Sequence, residues 1–96
     1  MPRQGRGEVN RNRLNMWNVY VLKSLKDSGY YIGCTSDLSK RLKEHNCGYN
    51  ISTKNRRPFK LVFYEKHEGQ KEAFAREAEI KSYKGGRAFK KLIGVI

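Results

Sequence analysis

Asn18-Val19-Tyr20-Val21-Leu22, the turn Lys26-Asp27-Ser28-Gly29 and the stretch Tyr30-Tyr31-Ile32-Gly33 read together as a β-hairpin. Residues Trp17 to Leu25 are rich in β-branched and aromatic side chains, the composition of a strand. In the turn, Asp27 and Ser28 can bond their own backbone, and Gly29 accepts positive φ. Strands this close in sequence pair antiparallel. Gly33, ending the second strand, marks a point where another group approaches the backbone closely.

Beyond the hairpin, Thr35-Ser36-Asp37 offers caps for a helix that runs to about Cys47 and is closed by Gly48. Residues 49–58, ending in Arg56-Arg57-Pro58, form a polar loop, and Lys60 to Glu65 form a third strand. Gly69 separates that strand from a long helix over about Gln70 to Lys84, which Gly85-Gly86 terminates; a short last helix carries Phe89, Leu92 and Ile93. The expected order is β-β-α-β-α-α, an α+β domain with a three-stranded antiparallel sheet flanked by helices. Its core would hold Val19, Val21, Ile32, Leu61 and Phe63. Residues 1–15, where Arg3, Arg6, Arg11 and Arg13 alternate with Gly, Asn and Gln, read as a basic flexible tail; residues 16–96 form the domain.

With 96 residues, 38% of them hydrophobic, the chain suits one domain with a modest core. Lys and Arg number 21 against 9 Asp and Glu, a net charge of +12, which calls for a polyanionic partner. Nucleic acid ranks ahead of a membrane surface. Charge alone does not separate an enzyme from a binder. No apolar run approaches the ~20 residues of a membrane span, and Met1 to Asn15 lacks the apolar stretch of a secretory signal. Cys34 and Cys47 are isolated, so neither a disulfide framework nor a zinc site is indicated, and a Cys34/His45/Cys47 cluster lacks a fourth ligand at a familiar spacing. A reducing, cytoplasmic setting fits.

Polar side chains on packing faces point to chemistry. Leu38, Arg41, Leu42 and His45 stand at offsets 0, 3, 4 and 7, the spacing of one buried stripe, with Lys40, Lys43 and Glu44 on the solvated side. An inward Arg is costly unless it finds a partner or opens into a cleft. The structural alternative is that Arg41 snorkels along the core edge while His45 bonds a backbone carbonyl. On the long helix, Ala73, Glu77 and Ile80 fall at offsets 0, 4 and 7, placing a carboxylate on the packing stripe. Glu77 would pair with a neighbouring cation or hold Mg²⁺, which takes one or two carboxylates, several waters and phosphate oxygens. Tyr20 and Tyr31, on adjacent strands, can point the same way, and a phenol beside a cation loses its proton more easily.

The ordered set resembles the GIY-YIG nuclease superfamily over about Trp17 to Ile93. Asn18-Val19-Tyr20 stands at the first tripeptide, Tyr31-Ile32-Gly33 is a literal YIG, Arg41 and His45 sit on the following helix, and Arg76-Glu77 looks like the metal-binding segment. The short chain is most similar to the small stand-alone members that resemble the N-terminal domain of the excision-repair nuclease. The resemblance implies an endonuclease that hydrolyses DNA phosphodiesters with Mg²⁺ or Mn²⁺, in repair or recombination. By it, Tyr20 would activate water, Tyr31 would assist, Arg41 would hold the phosphate, His45 would orient water or a phenol, and Glu77 would bind the metal. Gly33, Lys40, Lys43, Arg56, Arg57 and Lys60 would face the nucleic acid. Two positions depart from the pattern: Asn18 replaces glycine, and Cys34 stands where the repair nucleases place lysine. The alternative function is a non-catalytic nucleic-acid binder on the same fold, for which Lys90 and Lys91 join the other cations; a structural part of a larger assembly rests on charge and size alone.

Overall fold

Val19 and Val21 point one way along strand β1 (Trp17–Ser24), Tyr20 and Leu22 the other, and all four are buried. A strand buried on both faces must be central and covered twice. The computed structural model, which describes residues 16–96, shows how. β2 (Tyr30–Thr35) and β3 (Phe59–His67) flank β1 in the order β2-β1-β3, both antiparallel to it. Helix α1 (Leu38–Asn46) covers one face, where Leu38, Leu42 and Leu61 pack against Tyr20, Leu22 and Phe59. Helices α2 (Gln70–Ser82) and α3 (Arg87–Leu92) cover the other, where Ala73, Ile80 and Phe89 meet Val19 and Val21. Fully burying side chains such as Ile80 and Phe89 stabilises by roughly 1.5–3 kcal/mol each. The expected α+β order is the observed one.

Local chemistry sets the element ends. The Asp37 carboxylate accepts the Lys40 backbone N–H at 3.0 Å and starts α1. Gly48, at φ 77°, ends it. Two details differ from expectation. In the hairpin turn Ser28, not Gly29, takes positive φ, at 63°. Gly29 instead leaves space for a side chain, since a Cβ there would lie 2.6 Å from Arg56 Nη2. Leu61 and Phe63 do not share a core: a bulge in β3 opposite Val21 and Leu22 turns Phe63 toward α2 and Leu61 toward α1. β3 is also longer than its apolar stretch, because Lys66 and His67 pair with Asn18 and Trp17. The expected tail, residues 1–15, lies outside the described residues.

One close approach positions the site. Tyr20 is the cross-strand partner of Gly33, and its ring lies across that glycine. A Cβ at position 33 would sit 2.5 Å from Tyr20 Cζ and nearer still to the hydroxyl. Tyr20 is itself fully buried, so its ring cannot step aside cheaply. Gly33→Ala is therefore expected to destabilise the fold by about 1–3 kcal/mol, read as a lower urea midpoint with an unchanged m-value; a midpoint equal to the parent's would refute the close packing.

Candidate active site

Carried over Gly33, the Tyr20 hydroxyl meets α1, where Oη lies 3.2 Å from His45 Nε2. His45 is fully buried on the leucine stripe of α1, and its Nδ1 lies 2.8 Å from Thr53 Oγ1. Tyr31 completes an aromatic cluster, its ring centroid 6.3 Å from that of Tyr20 and 4.8 Å from that of His45. Phe59 closes the inner side, 5.8 Å from the imidazole. Tyr20, Tyr31 and His45 thus meet.

Arg41 lies half-exposed at the edge of this cluster, its Nε 3.2 Å from Glu44 Oε1. Glu44, on the solvated side with Lys40 and Lys43 as expected, also reaches Arg41. The guanidinium also reaches the Tyr20 phenol, favouring its charged form. Burial, reinforced by Tyr31, nevertheless outweighs it and pushes the Tyr20 pKa well above the ordinary 10.0. The activated phenol expected beside a cation is absent at rest; Tyr20 keeps its proton. Burial, with Arg41 adding to it and Glu44 opposing, lowers the His45 pKa below 6.5, so the imidazole is neutral at pH ~7. The cluster opens beside a cleft of about 150 Å³ lined by Thr35, Ser36, Asp37, Lys40, Arg41 and Glu44.

Glu77 belongs to the other layer. It stands on α2, across the sheet from α1, and is bonded not to a phenol but to Lys81 Nζ at 2.7 Å. Its charge still raises the pKa of Tyr20 and of Cys34, whose thiol burial and Glu77 push up to about 11. Cys34 lies on β2, an edge strand, so the Glu77 charge is felt at that side of the sheet. Among the described residues, no three His, Cys, Asp or Glu side chains gather as a metal cage. The Cys34/His45/Cys47 cluster does not form.

The cations expected to meet nucleic acid divide into two groups. Lys40 and Lys43 are exposed on the outer face of α1, along a groove of about 550 Å³ shared with Ser39, Cys47 and Tyr49, and Lys60 is exposed on β3. Arg56 and Arg57 have structural contacts. Arg56 Nε donates to Asp27 Oδ2 at 2.9 Å, holding that carboxyl down to about 2, while its guanidinium sits over the Phe59 ring at 5.7 Å. Arg57 Nε donates to the Lys54 carbonyl at 2.9 Å. Gly33 lies buried under Tyr20.

Two contributors carry no periodic signal in the sequence. Thr53 sits in the polar loop yet is fully buried against His45. Asn46, the last residue of α1, fixes the start of β3: its Oδ1 accepts the Phe59 N–H at 2.7 Å and its Nδ2 donates to the Phe59 carbonyl at 3.2 Å. Asn18, at the first position of the NVY triplet, is buried with an Oδ1 that meets no donor among the described residues.

Residues 16–90 match the model of the GIY-YIG catalytic domain. A UPF0213 protein of Clostridium perfringens is 47% identical over 66% of this chain and 68% of its own. One from Listeria welshimeri is 46% identical over 65% and 69%. The solution structure of a UPF0213 protein from Bacillus halodurans, 32% identical, aligns over 79% of this chain and 93% of its own with a TM-score of 0.43. These names specify no reaction.

The depressed His45 pKa carries a sign for stability. Between the depressed pKa and 6.5 the folded state binds fewer protons than the unfolded one. The stability from neutral His45 is thus complete above 6.5 and is lost as pH falls through that interval. Urea titrations from about pH 7 to about pH 5 should show unfolding free energy falling more steeply in the parent than in His45→Gln. Equal slopes would contradict the burial of a neutral imidazole.

Proposed function

Since the chain belongs to the GIY-YIG catalytic-domain family, we propose that it is a divalent-metal-dependent endonuclease that hydrolyses DNA phosphodiester bonds. The observation that carries the reading is the buried Tyr20–His45 pair with Arg41 at its mouth, beside an open polar cleft. A neutral phenol hydrogen-bonded to a neutral imidazole can move a proton away from an attacking water. Arg41, its charge only partly offset by Glu44, can hold a phosphate oxygen and the charge that grows on it. Tyr31, tilted against both rings, restricts their movement and would assist in placing the attacking water.

The donor set fits a hard ion held loosely rather than a caged metal. Glu77 supplies one half-buried carboxylate, and its partner Lys81 is a largely exposed side chain that can be displaced. Glu77 would hold Mg²⁺ or Mn²⁺, which when bound supplies Lewis-acid polarisation of the phosphate and support for the leaving oxygen. Lys40, Lys43 and Lys60 lie free to meet the backbone of DNA. Arg56 and Arg57 contribute less, being engaged within the fold. No described helix is long and apolar enough to cross a membrane; the reading places the protein in the cytoplasm, in repair or recombination, with Cys34 and Cys47 reduced.

The alternative, a binder that does not cut, draws on the Glu77–Lys81 pair and on Cys34 in place of lysine. Incubating supercoiled, branched and single-stranded DNA with Mg²⁺ or Mn²⁺ separates the two. Cleavage is expected, falling roughly 100-fold or more in Tyr20→Phe, Arg41→Ala and Glu77→Ala proteins that remain folded. Salt-sensitive binding without any cutting would favour the binder, and undiminished cutting by folded Glu77→Ala would remove the metal role.

A further inference from the structure

The Tyr20–His45 pair has a direction, and the direction is set from the loop behind it. Tyr20 keeps its proton, and that proton needs an acceptor. Arg41, beside the phenol, can only donate. Within hydrogen-bond reach of the hydroxyl, His45 Nε2 is the acceptor, at 3.2 Å. Nε2 then carries no hydrogen, and the neutral ring must carry it on Nδ1. That N–H points to Thr53 Oγ1 at 2.8 Å, and Thr53 passes its own hydrogen to the Asn50 carbonyl at 3.4 Å. Tyr20, His45, Thr53 and Asn50 form one chain in which each group donates to the next, with the Arg41 guanidinium beside its head. The reverse polarity would turn an imidazole N–H on the Tyr20 oxygen, beside the Arg41 cation, and leave the phenol hydrogen without an acceptor among the described residues.

We infer that Thr53 is a positioning residue: its buried hydroxyl holds His45 as the Nδ1–H tautomer and so leaves Nε2 as the proton acceptor for Tyr20. The consequence for hydrolysis rests on the nuclease reading above. The water oxygen bonds to phosphorus as one of its protons passes to the Tyr20 oxygen, and the Tyr20 proton passes to His45 Nε2. The sugar oxygen leaves with the electron pair of the broken P–O bond and takes a proton from solvent. His45 becomes an imidazolium whose Nδ1–H remains on Thr53, then returns its Nε2 proton to solvent by way of Tyr20. Among the described residues, the ring also lies against Tyr31 and Phe59, and the charges that act on it are the more distant Arg41 and Glu44. Thr53 makes no contact with the cleft and touches none of the reacting atoms.

The chain has two histidines, so ¹⁵N-histidine labelling gives readable spectra of both rings. Long-range ¹H–¹⁵N correlation should show His45 protonated at Nδ1 in the parent and in Thr53→Ser. Thr53→Val, matched in shape, should shift the ring toward the Nε2–H form or a mixture. With an activity assay in hand, Thr53→Val should lose roughly ten- to hundredfold in kcat with KM little changed, and Thr53→Ser should recover most of it. An Nε2–H parent, or an unchanged tautomer in Thr53→Val, overturns the inference. So does an unchanged kcat in an active Thr53→Val enzyme. If no DNA is cut while the tautomer shifts as expected, the nuclease reading fails and the role of Thr53 stands. Should Thr53→Val not fold, the parent spectrum and the Thr53→Ser and Thr53→Ala spectra decide it.

Discussion

A phenol ring laid across a neighbouring strand needs a residue there without a side chain, and Gly33 is that residue for Tyr20. The contact does more than fill space. It brings the Tyr20 hydroxyl to His45 on α1, and so ties the central strand to the first helix through a polar link inside an otherwise apolar face. A polar group this deep costs several kcal/mol without partners, and the link is tolerated because the phenol, imidazole and Thr53 hydroxyl satisfy one another. Loss of Gly33 would disturb packing and hydrogen bonding together.

Burial acts on the two titrating groups in opposite senses and reaches the same end. It raises the phenol and lowers the imidazole, so both rest uncharged. Two neutral groups can share a dry pocket, whereas a phenolate–imidazolium pair there would carry a large desolvation penalty. The cation beside the pair is Arg41, and it is half-exposed and matched by Glu44, where water supports it. This separation suits a cleft that must receive an anion: the cation faces solvent, and the proton-moving groups stay behind it. Glu77, one layer away and paired with Lys81, adds its charge to the factors that raise the phenol, behind burial and Tyr31.

Much of this was legible in the sequence because it follows period and order. The hairpin, the Leu38–His45 stripe and the Ala73–Ile80 stripe each predict a face, and buried His45 and half-buried Glu77 lie where those stripes put them. The β3 bulge was not legible, since Leu61, Val62 and Phe63 are all apolar and nothing in them marks which residue is unpaired. Gly29 was misjudged because a glycine in a turn reads as positive φ, while here it yields space to a guanidinium. The Arg41–Glu44 pair, three residues apart on α1, ties the edge of the site to the outer face of the helix, a pairwise effect that the hydrophobic stripe does not encode. Thr53 escaped notice for a stronger reason: it lies in an irregular segment, where burial follows from tertiary contacts alone.

That segment decides how firmly the site is held. Between α1 and β3 the chain has little regular structure, a single 3₁₀ turn at Lys54–Arg56, yet it forms the wall behind His45. It is fastened at both ends. Asn46 clamps the Phe59 backbone with two hydrogen bonds, and Ser24 Oγ donates to the Arg56 carbonyl at 2.6 Å while the Arg56 guanidinium grips Asp27 in the hairpin turn. The Arg56–Asp27 pair is exposed and by itself stabilises little. Its effect is geometric, because it fixes the loop to the same hairpin that carries Tyr20 and Tyr31. The distance from Thr53 to His45 is thereby set by the strands that present the phenols, and the proton path keeps its register although one of its members stands on a loop.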